Sequence, residues 1–159
     1  MCALSKIIDF MEFNILYHYR KLYRLGFGVA VLIALVLLLL PGSLVQSVEF
    51  WLNSWLHFAA DFEDTNQVGY TDKVVHAVLF ALIGLLAARG WADNRRHLAV
   101  VLLGCVCLAL LTEFLQTWVP DRDSNWADGV ANLLGLTLGA IAGRSVFIKQ
   151  AIPIVKLTS

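Results

Sequence analysis

Eight residues of this chain carry the types and spacing from which chemistry is made. Asp72, Lys73 and His76 fall together, with Asp72 and His76 four apart. Glu113 and Gln116 are three apart, and Asp128 and Asn132 are four apart, with Arg122 between the two pairs. On helices, residues at three- and four-residue spacing share a face, so each pair presents a carboxylate beside a His or an amide. A His with carboxylates suits general acid–base work. Lys73 and Arg122 suit a phosphate or carboxylate, which Arg can hold bidentately. A phosphoryl or acyl transfer would use His76 or Glu113 as base, Asp128 as the third member of the acid–base set, and the cations against developing negative charge. A metal ion would need Asp72, His76, Glu113 and Asp128 to converge on one point. Their spacing matches no recognised metal signature, so no metal is expected.

The surroundings of these residues decide how they are positioned. The chain has 159 residues, 59% of them hydrophobic and 15% charged, with a mean hydropathy of +0.73. A soluble domain of this size has too little interior to hide so much apolar surface. The surplus must face lipid. The formal net charge of +0 gives no footprint for nucleic acid. Cys2, Cys105 and Cys107 form no disulfide framework and read as small buried or lipid-facing residues.

Four apolar segments are long enough to matter, at about 22–40, 74–91, 98–119 and 126–148. The first contains Gly26–Leu40, closed by Pro41-Gly42, and becomes an adequate span if it reaches back to Leu22 with Arg24 snorkelling. A cleaved signal peptide is the competing reading; the long charged leader and long apolar segment favour an uncleaved helix. Between the first two spans, about 44–60, Leu44, Val48, Trp51, Trp55 and Ala59 recur at helical spacing opposite Gln46, Glu49, Asn53 and His57. That pattern predicts an amphipathic helix lying in the membrane interface. Residues 61–70 read as a loop. Gly135, Gly139 and Gly143 form a stripe that lets another helix approach closely.

Ten of the twelve basic residues fall in the N-terminal segment, the second loop and the C-terminal end, leaving only Lys73 and Arg122 elsewhere. The positive-inside rule then puts both termini in the cytoplasm. The expected fold is all-α, a single integral membrane four-helix bundle with the interfacial helix between spans one and two. Its threading gathers all the polar pairs near one membrane surface, as a shallow outward-facing pocket. No comparable cluster is expected at the cytoplasmic ends.

The segments DKVVH, TEFLQ and DRDSNWADGVANLLGLTLG, in that order on three apolar helices, resemble the VanZ-like family of small bacterial membrane proteins. That family is marked by Asp-Lys-x-x-His, Glu-x-x-Gln, an Arg, and Asp-x-x-x-Asn-x-x-Gly. Here these are Asp72, Lys73, His76, Glu113, Gln116, Arg122, Asp128, Asn132 and Gly135, within about 72–143. Its namesake is associated with resistance to teicoplanin. The resemblance implies a role at the cell envelope, in the bacterial cytoplasmic membrane; the sequence names no cofactor, which is left unknown.

Three functions follow as expectations. The first is binding, with or without chemical modification, of an anionic lipid or lipid-linked cell-wall precursor, with Asp72, Lys73, Gln116, Arg122 and Asn132 as ligand-binding residues. The second is a non-enzymatic scaffold or partner-binding module. It would use the glycine stripe, through which a homodimer would form, and the Trp51/Trp55 helix. The third is a proton-coupled transporter.

Overall fold

A computed structural model describes residues 2–45, 47, 68–122 and 125–157, with side chains at 17–45, 47, 73–122 and 125–145. The described elements are helical: α1 (Cys2–Leu39), α2 (Val68–Gly90), α3 (Arg95–Gln116) and α4 (Trp126–Leu157). Within them, Tyr17–Leu39, Lys73–Gly90 and Arg95–Gln116 are long and apolar enough to cross a membrane. α4 carries Asp128, Asn132 and Arg144 among its described residues and is not one of these three.

The helix ends follow from local chemistry. Pro41 cannot continue α1, and it biases the residue before it away from the helical region. Asn94 starts α3, its side-chain oxygen accepting from the backbone N–H groups of Arg96 at 3.0 Å and His97 at 3.1 Å. Asn125 does the same for α4, accepting from Ala127 N–H at 3.0 Å. Asp128 then lies in the first turn of α4, where the helix dipole favours a carboxylate. The helices extend beyond the apolar segments that mark them. α1 runs back to Cys2, and α2 begins at Val68, so residues 68–70 are helix where the sequence suggested loop. Hydropathy fixes what can cross lipid, not where a helix starts. Residues 42–45 are helical. The rest of the expected interfacial segment, apart from Ser47, lies outside the described residues, as does 61–67.

α2 and α4 pack with their backbones in contact. A Cβ at Gly135 would lie 2.1 Å from the Ala77 carbonyl oxygen, one at Gly139 1.9 Å from that of Ala81, and one at Gly143 2.8 Å from that of Leu85. From the other side, a Cβ at Gly84 would lie 2.2 Å from the Leu136 oxygen. The partners advance together along both helices, so α2 and α4 run parallel. α1 runs opposite to α2, since Arg24 meets Gly90 while Gly26, further along α1, faces Leu86, further back on α2. The glycine stripe is therefore filled by α2 of the same chain. This is the close helix approach that a Cβ-free stripe allows.

The apolar core consists of Ala30, Ala34 and Leu38 of α1, Phe80 and Ile83 of α2, Cys105 and Ala109 of α3, and Leu136 of α4. Large apolar side chains cover the outside, among them Leu32, Val78, Leu103, Leu138 and Ile141. Meanwhile His76, Thr112, Gln116, Asp128 and Asn132 are buried. Apolar residues outside and polar residues inside are what a lipid solvent selects.

Candidate functional site

α1 and α3 finish, and α2 and α4 begin, at one end of the packed helices. There α2 contributes Lys73 and His76, α3 contributes Glu113 and Gln116, α4 contributes Asp128 and Asn132, and the α3–α4 turn contributes Arg122. His76, Glu113 and Asn132 form one hydrogen-bonded unit. His76 Nδ1 lies 3.1 Å from Asn132 Oδ1 and 3.5 Å from Glu113 Oε1. Asn132 Nδ2 donates to Glu113 Oε1 at 3.3 Å. With the Asn132 amide donating to Glu113, its oxygen is the acceptor facing His76. Nδ1 is therefore the nitrogen that carries the proton when the ring is neutral. His76 and Asn132 are fully buried and Glu113 is 9% exposed. The Glu113 Cγ lies 3.5 Å from where a Cβ at Gly129 would stand, which holds the side chain against the first turn of α4 and the positive end of its dipole.

Lys73 and Asp128 form a second pair, Nζ to Oδ1, at 3.6 Å. The Lys73 side chain is 34% exposed and that of Asp128 only 5%. The cation thus stands at the rim with the carboxylate behind it. The side chain of Asp72 lies outside the described residues. Among the described residues no three of His, Cys, Asp and Glu lie close enough together to hold a metal ion.

Gln116 and Arg122 are engaged differently from the ligand-binding reading made of them. Gln116 Nε2 donates to the Leu38 carbonyl at 2.9 Å, and Arg122 Nη2 donates to the Leu37 carbonyl at 3.3 Å. Both oxygens belong to the last turn of α1 and lack their intrahelical donors. The donor due to Leu37 would be the N–H of residue 41, which is proline. The donor due to Leu38 is the Gly42 N–H, which instead donates to the Pro120 carbonyl at 3.1 Å. A Cβ at Gly42 would lie 1.8 Å from the Asp121 carbonyl oxygen, and Asp121 takes a left-handed conformation at φ 58. The α3–α4 turn is thus clamped to the end of α1 through Gly42. Sequence reasoning passed over Gly42 and Gly129 as contributors to this end; Gly42 was signalled only as half of a Pro-Gly stop.

The opposite end also carries a polar cluster, contrary to expectation. Arg24 Nε donates to the Gly90 carbonyl at 2.8 Å, and Arg89 Nη1 donates to the Tyr23 hydroxyl at 2.9 Å. Asp93 pairs with Arg20 at 3.1 Å and with Arg24 at 3.8 Å. Trp91 lies 5.2 Å from the Arg24 guanidinium and 5.2 Å from Phe27, edge to face. These partners lie 64 or more residues apart, so their meeting depends on α1 running antiparallel to α2.

The family model described as VanZ/LLP1 matches residues 25–148. The chain belongs to the VanZ/LLP1 family. Neither a curated protein nor a solved structure matches. The match reaches well beyond 72–143 and takes in the apolar part of α1. In this VanZ/LLP1 chain, that is the helix whose last carbonyls are capped by Gln116 and Arg122, so the matched region includes both halves of the clamp.

Proposed function

We propose that this VanZ/LLP1 protein crosses the bacterial cytoplasmic membrane four times with both termini in the cytoplasm, and that it binds a lipid-linked cell-wall precursor or other anionic lipid at the outer leaflet. α4 as the fourth span is supported by its parallel register with α2 and by the exposed Leu134, Leu138 and Ile141 on its outer side. The orientation is supported by the distribution of basic residues, and reporter fusions at either terminus are expected to read cytoplasmic.

The carrying observation is the mixed-sign cluster in which Lys73 stands at the rim and the His76–Asn132–Glu113 unit lies behind it. A head group with a phosphate and with hydroxyl or amine groups matches both signs. Lys73, with Arg122 nearby in the turn, meets the phosphate. Asp128 and Glu113 accept from the hydroxyl or amine groups, and His76 serves as the base for proton exchange. Trp118 and Trp126, both exposed at this end, support a head-group depth for the site. A link to glycopeptide resistance follows from the family's namesake.

Native mass spectrometry of the protein from its own membranes, wild type beside Glu113→Gln and both shown to be folded, tests this. The wild type is expected to retain a specific lipid that the variant loses. Absence of any retained lipid from the wild type would overturn the reading. One observation favours a scaffold instead: the cluster's hydrogen bonds join α2, α3 and α4 to one another, each such bond worth about 0.6 kcal/mol in a membrane. On that reading, cluster variants lose folding and function together; on the binding reading, Glu113→Gln stays folded and loses the lipid.

A further inference from the structure

The opposite end of the molecule carries two features that the proposed site leaves unused. One is an apolar groove between α1 and α3, lined by Phe27, Val31, Val101, Gly104, Cys105 and Leu108. From Val101 to Leu108 it extends about 10 Å along the helix axis. A Cβ at Gly104 would meet no atom within 4 Å, so the glycine opens the groove instead of serving helix contact. The other feature is the basic and aromatic cluster described above. It adjoins the groove directly: Phe27 lines the groove, packs on Trp91 and stands one turn from Arg24 on α1. On α3, His97 is exposed one turn before Val101. Arg20, Arg24, Arg89, Arg95 and Arg96 surround this end, with Asp93 the one carboxylate paired among them in the described residues. The Arg24 side chain is 41% exposed, leaving part of the guanidinium to solvent.

An apolar slot at membrane depth that ends at an excess of positive charge is the complement of one kind of molecule. We propose that the groove holds an acyl chain of one anionic glycerophospholipid, whose phosphate is met by Arg24 and His97. This lipid belongs to the leaflet at the Arg24 end, the cytoplasmic one in the orientation proposed above, and is separate from any ligand at the His76 end. Apolar contact alone would give no preference for this lipid over its neighbours, because all the tails are alike. The preference comes from the cations, each worth about 1 kcal/mol toward an anionic head group.

The test is native mass spectrometry of the full chain in mild detergent, titrated separately with phosphatidylglycerol and phosphatidylcholine of identical acyl chains. The wild type is expected to retain one phosphatidylglycerol about tenfold more tightly than phosphatidylcholine. Gly104→Leu puts a side chain into the groove from a position where a Cβ meets nothing within 4 Å, and is expected to weaken phosphatidylglycerol retention about tenfold while leaving the protein folded. Arg24→Gln is expected to cut the preference between the two lipids about fivefold. Should Arg24→Gln unfold through loss of its bond to Gly90, Gly104→Leu still decides the matter. Equal retention of both lipids by the wild type overturns the proposal, as does retention unchanged in Gly104→Leu. A lipid-free dimer that Gly104→Leu disperses also overturns it, by making the groove a contact between two copies.

Discussion

Replacing Gly139 with alanine adds one methyl group, and the structure makes that methyl intolerable where it stands. Its Cβ would lie 1.9 Å from the Ala81 carbonyl oxygen, 2.7 Å from the carbonyl carbon and 2.8 Å from Cα. All three atoms are backbone, so no rotamer change relieves the clash. Contact distances for a Cβ begin near 3.0 Å, and α2 and α4 must therefore part by about 1 Å over this turn. Overpacking of this kind costs about 1–3 kcal/mol, against which alanine's better helix propensity returns at most about 1. Gly104→Ala is the matched control, because nothing lies within 4 Å of its Cβ. That substitution is expected to be neutral or to stabilise by up to about 1 kcal/mol. Reversible unfolding in mixed micelles with increasing SDS, followed by helical circular dichroism, measures both. A gap of about 2 kcal/mol between the two variants is expected. Equal stability of Gly139→Ala and Gly104→Ala would refute the backbone contact between α2 and α4, and with it the parallel register that carries Asn132 to His76.

Further substitutions probe the site end. Gln116→Leu removes the donor to the Leu38 carbonyl in a buried position; the same unfolding assay should show a loss of about 1 kcal/mol, and an unchanged midpoint would mean the carbonyl has another donor. Gly42→Ala drives a Cβ to 1.8 Å from the Asp121 oxygen and should cost about 1–3 kcal/mol, detectable as a lower midpoint than that of Gly28→Ala, whose Cβ meets nothing. A double-mutant cycle of Lys73→Gln with Asp128→Asn is expected to give a coupling of no more than about 1 kcal/mol, since the pair is 3.6 Å apart and one side chain is a third exposed. That coupling should shrink as salt is raised, and a large salt-independent value would place the pair away from water.

The broad plan was legible in the sequence because lipid imposes it: apolar runs of spanning length and carboxylates placed where they should not be are visible one residue at a time. That Lys73, His76, Glu113, Asp128 and Asn132 gather at one end followed from helices that alternate in direction. The partner of the glycine stripe did not follow, although Ala77, Ala81, Gly84 and Ala88 form a matching small-residue face on α2. A small face says only that something comes close. The Arg24–Gly90 and Arg20–Asp93 contacts were hidden for a related reason, since basic residues at a membrane boundary carry topological information whether or not they pair.

Gln116 and Arg122 show how a residue's type leaves its partner open while a neighbouring residue's chemistry narrows the choice. By type each is a donor open to a ligand, because amides and guanidiniums are donors. Yet helix termini leave carbonyls without partners, and in a membrane an unmet carbonyl is costly. Pro41 stands four residues after Leu37 and has no N–H to give it, which was visible from the sequence. A buried amide and a turn arginine at the same end of the helices are then the donors that α1 requires. This assignment moves the weight of any binding function away from Gln116 and onto Lys73, His76, Glu113, Asp128 and Asn132. It also gives Arg122 a structural task, donating from its planar guanidinium to the Leu37 carbonyl at the end of α1.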